Sequence, residues 1–325
     1  MHRRQFISLF GGIATGLMWP LRSSAQKPNM RRIGVLVVGN TDADAVSFRA
    51  ELREELRKSG YIEGQNLIFD LKSAEHKLDL LPRLAAELVT QKVDVIVALY
   101  TPCALAAKQA TREIPIVAVS GDPVGTGLVP SLARPSGNVT GVSLIAAEMH
   151  GKCVELFRDM LPSMRRVGVV GYAADPFSKF VVEQTHLAGK TAKIEIAPTI
   201  LARGPQEIEA ALANVKREAS GAVVVQASLA SKAVAELAIM HGLAAATVPR
   251  SFAEAGGMLS YGADSSTSFR PSARFVTKIL QGGLPADMPI EQPTKFELVI
   301  NLKTAKALGL PVAETFLRRA DAIIE

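Results

Sequence analysis

The chain has 325 residues, 48% of them hydrophobic, and carries 37 Lys and Arg against 31 Asp and Glu, a formal net charge of +6. That length suffices for one large or two medium α/β domains. The basic residues are spread along helical segments such as RAELREELRKSG, without the Lys/Arg stripe and stacking aromatics that a nucleic-acid partner requires.

The first stretch, MHRRQFISLFGGIATGLMWPLRSSAQ, reads as a cleavable export signal over residues 1–25, with the cut after Ala25. Arg3-Arg4-Gln5-Phe6-Ile7 followed by a mildly apolar, Gly-rich core fits a twin-arginine address, with an ordinary secretory signal as the alternative. A membrane anchor needs about 20 apolar residues, and the run from Phe6 to Leu21 is shorter and broken by Pro20. Cleavage removes Arg3, Arg4 and Arg22 and no acid, which leaves +3. The expected product is a soluble periplasmic protein.

Next come apolar, β-branched runs at 31–39 (RRIGVLVVG), 66–72 (NLIFDLK), 94–100 (DVIVALY) and 114–120 (IPIVAVS). Segments of helical periodicity separate them: SFRAELREELRKSG, LDLLPRLAAELVTQK and CALAAKQATRE. A second series follows a Pro/Gly-rich passage, at 165–172, 193–197, 221–227 and 246–250, again with amphipathic segments between. This alternation predicts parallel sheets covered by helices on both faces, in two similar α/β halves. GGMLSYGAD, the helix TSFRPSARFVTKILQGG and the unit FELVINLKTAKALGL then trail the second series. If each completes one half, the first lobe comprises 31–120 and 257–282 and the second 142–248 and 290–325. The chain then crosses between lobes three times, near 120–142, 248–257 and 282–295, where Pro and Gly suit a hinge.

Ligands of open parallel sheets sit beyond the carboxyl ends of the strands. The residues there are Asn40, Thr41, Tyr100, Thr101, Ser120, Asp122, Tyr172, Asp175, Gln226, Ser228, Tyr261 and Asp264, which include three of the four tyrosines. A tyrosine offers an apolar face and a hydroxyl, so it suits a small-molecule clamp or, equally, a cap on the sheet edge. Asp122 could accept hydrogen bonds from an ammonium group or serve an Asx-turn, and Thr101 and Ser120 could meet a carboxylate or cap helices.

The loop SGDPVGTGL (120–128) has glycines at the wrong spacing for a nucleotide loop, no following Lys, and Pro130 and Pro135 where the helix would start. No dinucleotide fingerprint or nucleophile elbow occurs, and no cofactor is expected. Cys103 and Cys153 are too few for a disulfide framework and lie in no C-x-x-C pattern, and are expected as free thiols. Cys103 at a helix start is a weak candidate nucleophile with no identifiable histidine partner. His76, His150, His186 and His241 are scattered, with no metal-ligand spacing.

Taken with RRQFISLFGG and LPRLAAELVTQKVDVIVA, the passages IPIVAVSGDPVGTGLVPSLARPSGNVTGVS and PIEQPTKFELVINLKTAKALGL, with the ending RADAIIE, resemble the substrate-binding proteins of ABC transporters of the tryptophan/tyrosine-binding type. The resemblance implies a type I periplasmic-binding-protein fold of two Rossmann-like lobes with three crossovers. It also implies closure around one small solute, such as an aromatic or branched amino acid or a related carboxylate, and delivery by a monomer to an ABC permease in the inner membrane. Such a protein is no enzyme; a ligand-sensing module for a membrane receptor and a Rossmann-like enzyme are the alternatives.

Overall fold

The computed structural model describes residues 30–39, 43–218 and 220–325. The expected export signal and the candidates Asn40 and Thr41 lie outside the described residues.

The first lobe is built from β1 (Arg31–Val37), α1 (Ala43–Lys58), β2 (Leu67–Ser73), α2 (Leu81–Thr90), β3 (Val95–Leu99), α3 (Thr101–Ala110), β4 (Ile116–Ser120) and β5 (Val139–Ser143). Its five strands are all parallel, in the order β2-β1-β3-β4-β5. Successive strand residues point to opposite faces, and these strands are apolar on both. Leu36, Ile96, Ala98 and Ile116 pack with Leu81, Leu84 and Leu88 of α2 and Ala104 and Ala107 of α3. Val35, Val95, Val97 and Val117 pack on the other side with Phe48, Leu52 and Leu56 of α1. That two-sided burial explains why the strands read as unbroken apolar runs.

The second lobe follows: α4 (Ala146–Met160), β6 (Arg166–Tyr172), α5 (Ser178–Ala192), β7 (Glu195–Ala202), α6 (Ile208–Arg217), β8 (Ala222–Val225), α7 (Lys232–Met240), β9 (Ala244–Thr247), α8 (Arg250–Glu254), β10 (Leu259–Ala263) and α9 (Ser265–Ser268). The chain then runs through α10 (Arg270–Leu280), β11 (Phe296–Asn301), α11 (Leu302–Ala307), α12 (Glu314–Leu317) and β12 (Ala322–Ile324). The second sheet has seven strands in the order β12-β11-β10-β9-β8-β6-β7, parallel except for β10 against β11. Its faces divide as in the first sheet. Val223, Val225 and Ala245 lie with Leu212 of α6 and Ala235 of α7, while Val224, Ala244 and Ala246 lie with Cys153, Val154 and Phe157 of α4.

Two details depart from the expected organisation. Residues 139–143, at the end of the expected first crossing and the expected start of the second lobe, form β5, paired in register from Ile116↔Val139 to Ser120↔Ser143. Gly141 makes this possible: its φ is +139°, and a Cβ there would overlap the carbonyl oxygen of Ala118 on β4. Residues 259–263, expected with the first lobe, form β10 in the second sheet, because Leu259 and Ser260 pair with Ala246 and Thr247 of β9. Only the helix of that segment, α10, joins the first lobe, where Phe275, Val276 and Ile279 enter the core beside α1. The chain therefore passes between lobes at 143–146, at 264–269 and at 291–295. At the first passage Ile145 takes a left-handed φ of 52°.

Candidate functional site

The carboxyl ends of β3 and β4 face those of β6, β8 and β9, and between them lies a cavity of about 230 Å³. The first lobe contributes Ser47 and Glu51 of α1, Tyr100, Thr101 and Gly121, and the second passage, into α10, contributes Phe269. The second lobe contributes Asp175, Phe177, Gln226, Ser228 and the start of α8 at Arg250.

Asp175 is the most constrained polar group of this wall. Only 2% exposed, it sits in the loop between β6 and α5. Its Oδ1 accepts from the Phe177 backbone N–H at 2.9 Å, and its Oδ2 accepts from Gln226 Nε2 at 2.7 Å and Ser228 Oγ at 3.0 Å. Gln226 is held in turn, its Oε1 accepting from the Tyr172 N–H at 2.9 Å. Burial pushes the Asp175 carboxyl up to about 6, against the three hydrogen bonds that favour the ionised form.

The aromatic surface comes from both lobes. Phe177 reaches across to Gly121, where a Cβ would overlap its ring. It joins the first lobe's apolar cluster with Val181, and burying such a ring contributes about 1.5–3 kcal/mol to the contact between the lobes. Phe269 packs edge-on to Phe48, with centroids 5.2 Å apart. Tyr100 adopts φ 73° and ψ 156°, a conformation nearly reserved for glycine, which costs about 1–3 kcal/mol for any other residue. Its N–H donates to the Val119 carbonyl and its own carbonyl accepts from Ala104, so the strained residue is pinned between β4 and α3.

Around the mouth, Arg250 donates through Nε to Glu254 at 2.7 Å and through Nη1 to Glu297 at 2.8 Å. Glu51 pairs with Arg270 at 3.3 Å.

Of the residues expected at the rim, Tyr100, Thr101, Asp175, Gln226 and Ser228 are brought together on the cavity wall. The others described are placed elsewhere. Asp122 serves its own turn, with Oδ1 accepting from the N–H groups of Val124 and Gly125. Ser120 is fully buried at the end of β4, and its hydroxyl has no partner among the described residues. Tyr172 sends its hydroxyl to the His76 carbonyl of the first lobe. Tyr261 lies two residues short of the end of β10, where it stacks on Phe296 with centroids 6.3 Å apart. Asp264 opens α9, its carbonyl accepting from Thr267 and Ser268, with Lys295 3.5 Å from its carboxylate.

Phe177, Phe269, Glu51 and Arg250 were not among the expected residues. Arg250 carried a signal: it stands just past the short run ATV, with Pro249 between them marking the strand's end. Glu51 lies in α1 and Phe269 immediately before α10, where nothing local distinguishes them from other amphipathic positions.

Cys103 and Cys153 are both free and buried. Burial, with the Asp175 charge nearby, holds the Cys103 thiol well above its ordinary range, and burial pushes Cys153 up to about 12. This is the opposite of an activated nucleophile. Among the described residues no cluster of metal-ligating side chains occurs, and no helix is long and apolar enough to cross a membrane.

The fold is shared with solved structures over nearly the whole chain. A conserved domain protein from Vibrio cholerae superposes with a TM-score of 0.83 at 27% identity, covering 90% of this chain and 99% of that one. An ABC domain in complex with L-Trp from Streptococcus pneumoniae gives 0.81 at 24% identity, covering 91% and 100%. In sequence, the chain is 27% identical over 259 residues to a tyrosine-binding protein of Clostridioides difficile, covering 78% of this chain and 74% of the relative. Residues 32–324 match the family described as ABC transporter substrate binding protein, and the chain, with its two lobes of type I periplasmic-binding fold, belongs to that family.

Proposed function

We propose that the protein captures a small amphiphilic solute, with an aromatic or branched apolar body, in the cavity between its lobes and presents it to an ABC permease. The observation that carries this reading is a wall assembled from both lobes, with Phe177 and Tyr100 as apolar faces and the Asp175, Gln226 and Ser228 cluster as its fixed polar end. A solute touching both walls favours the closed arrangement over the open one, and that differential contact is the mechanism. The relative named for tyrosine binding and the fold shared with an L-Trp complex support an aromatic amino acid or a related compound as the cargo. The Arg3-Arg4-Gln5-Phe6 address supports export by a twin-arginine route and, with it, capture in the periplasm.

A thermal-shift screen of amino acids, aromatic acids and aromatic amines tests the reading. A true ligand at a hundred times its dissociation constant stabilises by about 2.7 kcal/mol. Ala227 lines the cavity, so Ala227→Trp should abolish that stabilisation. The reading fails if no solute stabilises the protein, or if Ala227→Trp responds as the wild type does.

A further inference from the structure

We infer that the cavity selects its solute by positive charge: Asp175 receives a protonated amine, and a carboxylate on the solute is dispensable. This inference rests on the proposed capture in the interlobe cavity and names the chemical class captured there.

The charges on the wall carry the argument. Among the described residues lining the cavity, the acids are Glu51, Asp175, Glu254 and Glu297 and the only base is Arg250. Arg250 has its Nε on Glu254 and an Nη on Glu297, so its fork is already engaged by carboxylates and is a poor receptor for another. Glu51 is offset by Arg270. Asp175 alone has no cation beside it among the described residues: its hydrogen-bond donors are neutral, namely the Phe177 N–H, the Gln226 amide and the Ser228 hydroxyl.

A buried carboxyl held only by neutral donors is poised between its two forms, and burial puts it at about 6. The other titratable groups near it are the Cys103 thiol on α3 and the Tyr172 phenol on β6, both raised by burial and uncharged near that pH. An ammonium group arriving in the cavity supplies the missing counter-charge, stabilises the carboxylate and expels its proton. An anionic solute instead meets a wall whose net charge has its own sign, in a water-poor space where like charges repel most strongly.

The experiment is calorimetry on the full chain with phenethylamine, phenylalanine and phenylpropionate, which share an apolar body and differ in their charged groups. Phenethylamine and phenylalanine should bind, and phenylpropionate should bind more weakly by roughly 30-fold or more. Repeating the amine titration near pH 6 in buffers of different ionisation enthalpy should reveal proton release by the wild type. Asp175→Asn should abolish that release and the preference for the amine. Proton release is read on the unmutated protein, so it decides the matter even if Asp175→Asn does not fold. Equal affinity for phenylpropionate, or amine binding without proton release, overturns the inference. Closure on an anionic or uncharged solute and on no amine overturns it too, while leaving capture by closure standing. If no solute of any class binds, both fall.

Discussion

The phenol of Tyr172, at the end of β6 in the second lobe, donates a hydrogen bond to the main-chain carbonyl of His76 in the first lobe at 2.6 Å. The bond spans the two lobes beside the cavity and exists only when they are together. A net contribution of about 0.5–1.5 kcal/mol is typical for such a bond. Tyr172→Phe should therefore lower solute affinity by about two- to tenfold, leave the order of preference among solutes unchanged, and expand the solute-free protein. Small-angle scattering and calorimetry check this; an unchanged affinity would show that the bond does not contribute to closure.

Gly121 and Phe177 make a second test of closure. A Cβ at Gly121 would overlap the Phe177 ring, so Gly121→Ala should weaken solute binding by about 1–3 kcal/mol, the usual cost of overpacking. Phe177→Leu in the same chain should recover part of the loss. A double-mutant cycle measures the coupling, and strict additivity would mean that the two positions do not meet in the binding-competent form.

The strained backbone of Tyr100 predicts an order of stabilities. At φ 73° and ψ 156° a glycine is at ease and an alanine is not. Tyr100→Gly should therefore be more stable to urea than Tyr100→Ala by about 1–3 kcal/mol, although both lose the ring from the cavity wall. The reverse order would count against the strained conformation.

Two buried groups give the stability a pH dependence of opposite signs. Burial lowers His150 on α4 from 6.5 to about 4. Between those values the unfolded chain holds a proton that the folded chain refuses, so stability falls as pH drops through that window, by about 1.4 kcal/mol per unit of separation. Asp175 is raised from 3.8 to about 6. Here the folded chain holds the extra proton, so stability falls as pH rises through that window. In urea titrations across the acid range, His150→Gln should lose ground to wild type least at low pH. Asp175→Asn should gain on wild type as pH rises through about 6. Parallel curves for wild type and variants would contradict both assignments.

The two thiols should be silent in the native protein. Cys103 and Cys153 are fully buried and their thiolates are disfavoured by burial, so a thiol reagent should titrate neither until the chain is unfolded and both thereafter. Prompt labelling of the folded protein would indicate an opening of the helix that holds the reactive cysteine.

Local patterning sufficed for the layers: runs such as VDVIVAL and GAVVVQA are apolar on both faces, and a sheet covered by helices on both sides buries both faces of a strand. Strand ends are likewise marked by where the apolar run stops, and this is why Tyr100, Thr101, Asp175, Gln226 and Ser228 could be named before their positions in space were known. Which strand ends share one cavity is a different matter, since it depends on where the chain changes lobe. The VTGVS segment became a strand because Gly141 lets β5 lie against Ala118, and GMLSYGA joined the second sheet because β9 offered it a parallel edge. Phe177, Phe269, Glu51 and Arg250 reached the wall from a loop, a helix approach and two helices, through contacts between residues far apart in the chain. Asp122 and Asp175 both follow strands in turn-like sequence, and nothing local separates them. Folding spends the carboxylate of Asp122 on two amides of its own turn, whereas that of Asp175 takes one amide of its turn and two side chains some fifty residues on, and so becomes part of the cavity wall; that difference lies in long-range contacts, not in the local sequence.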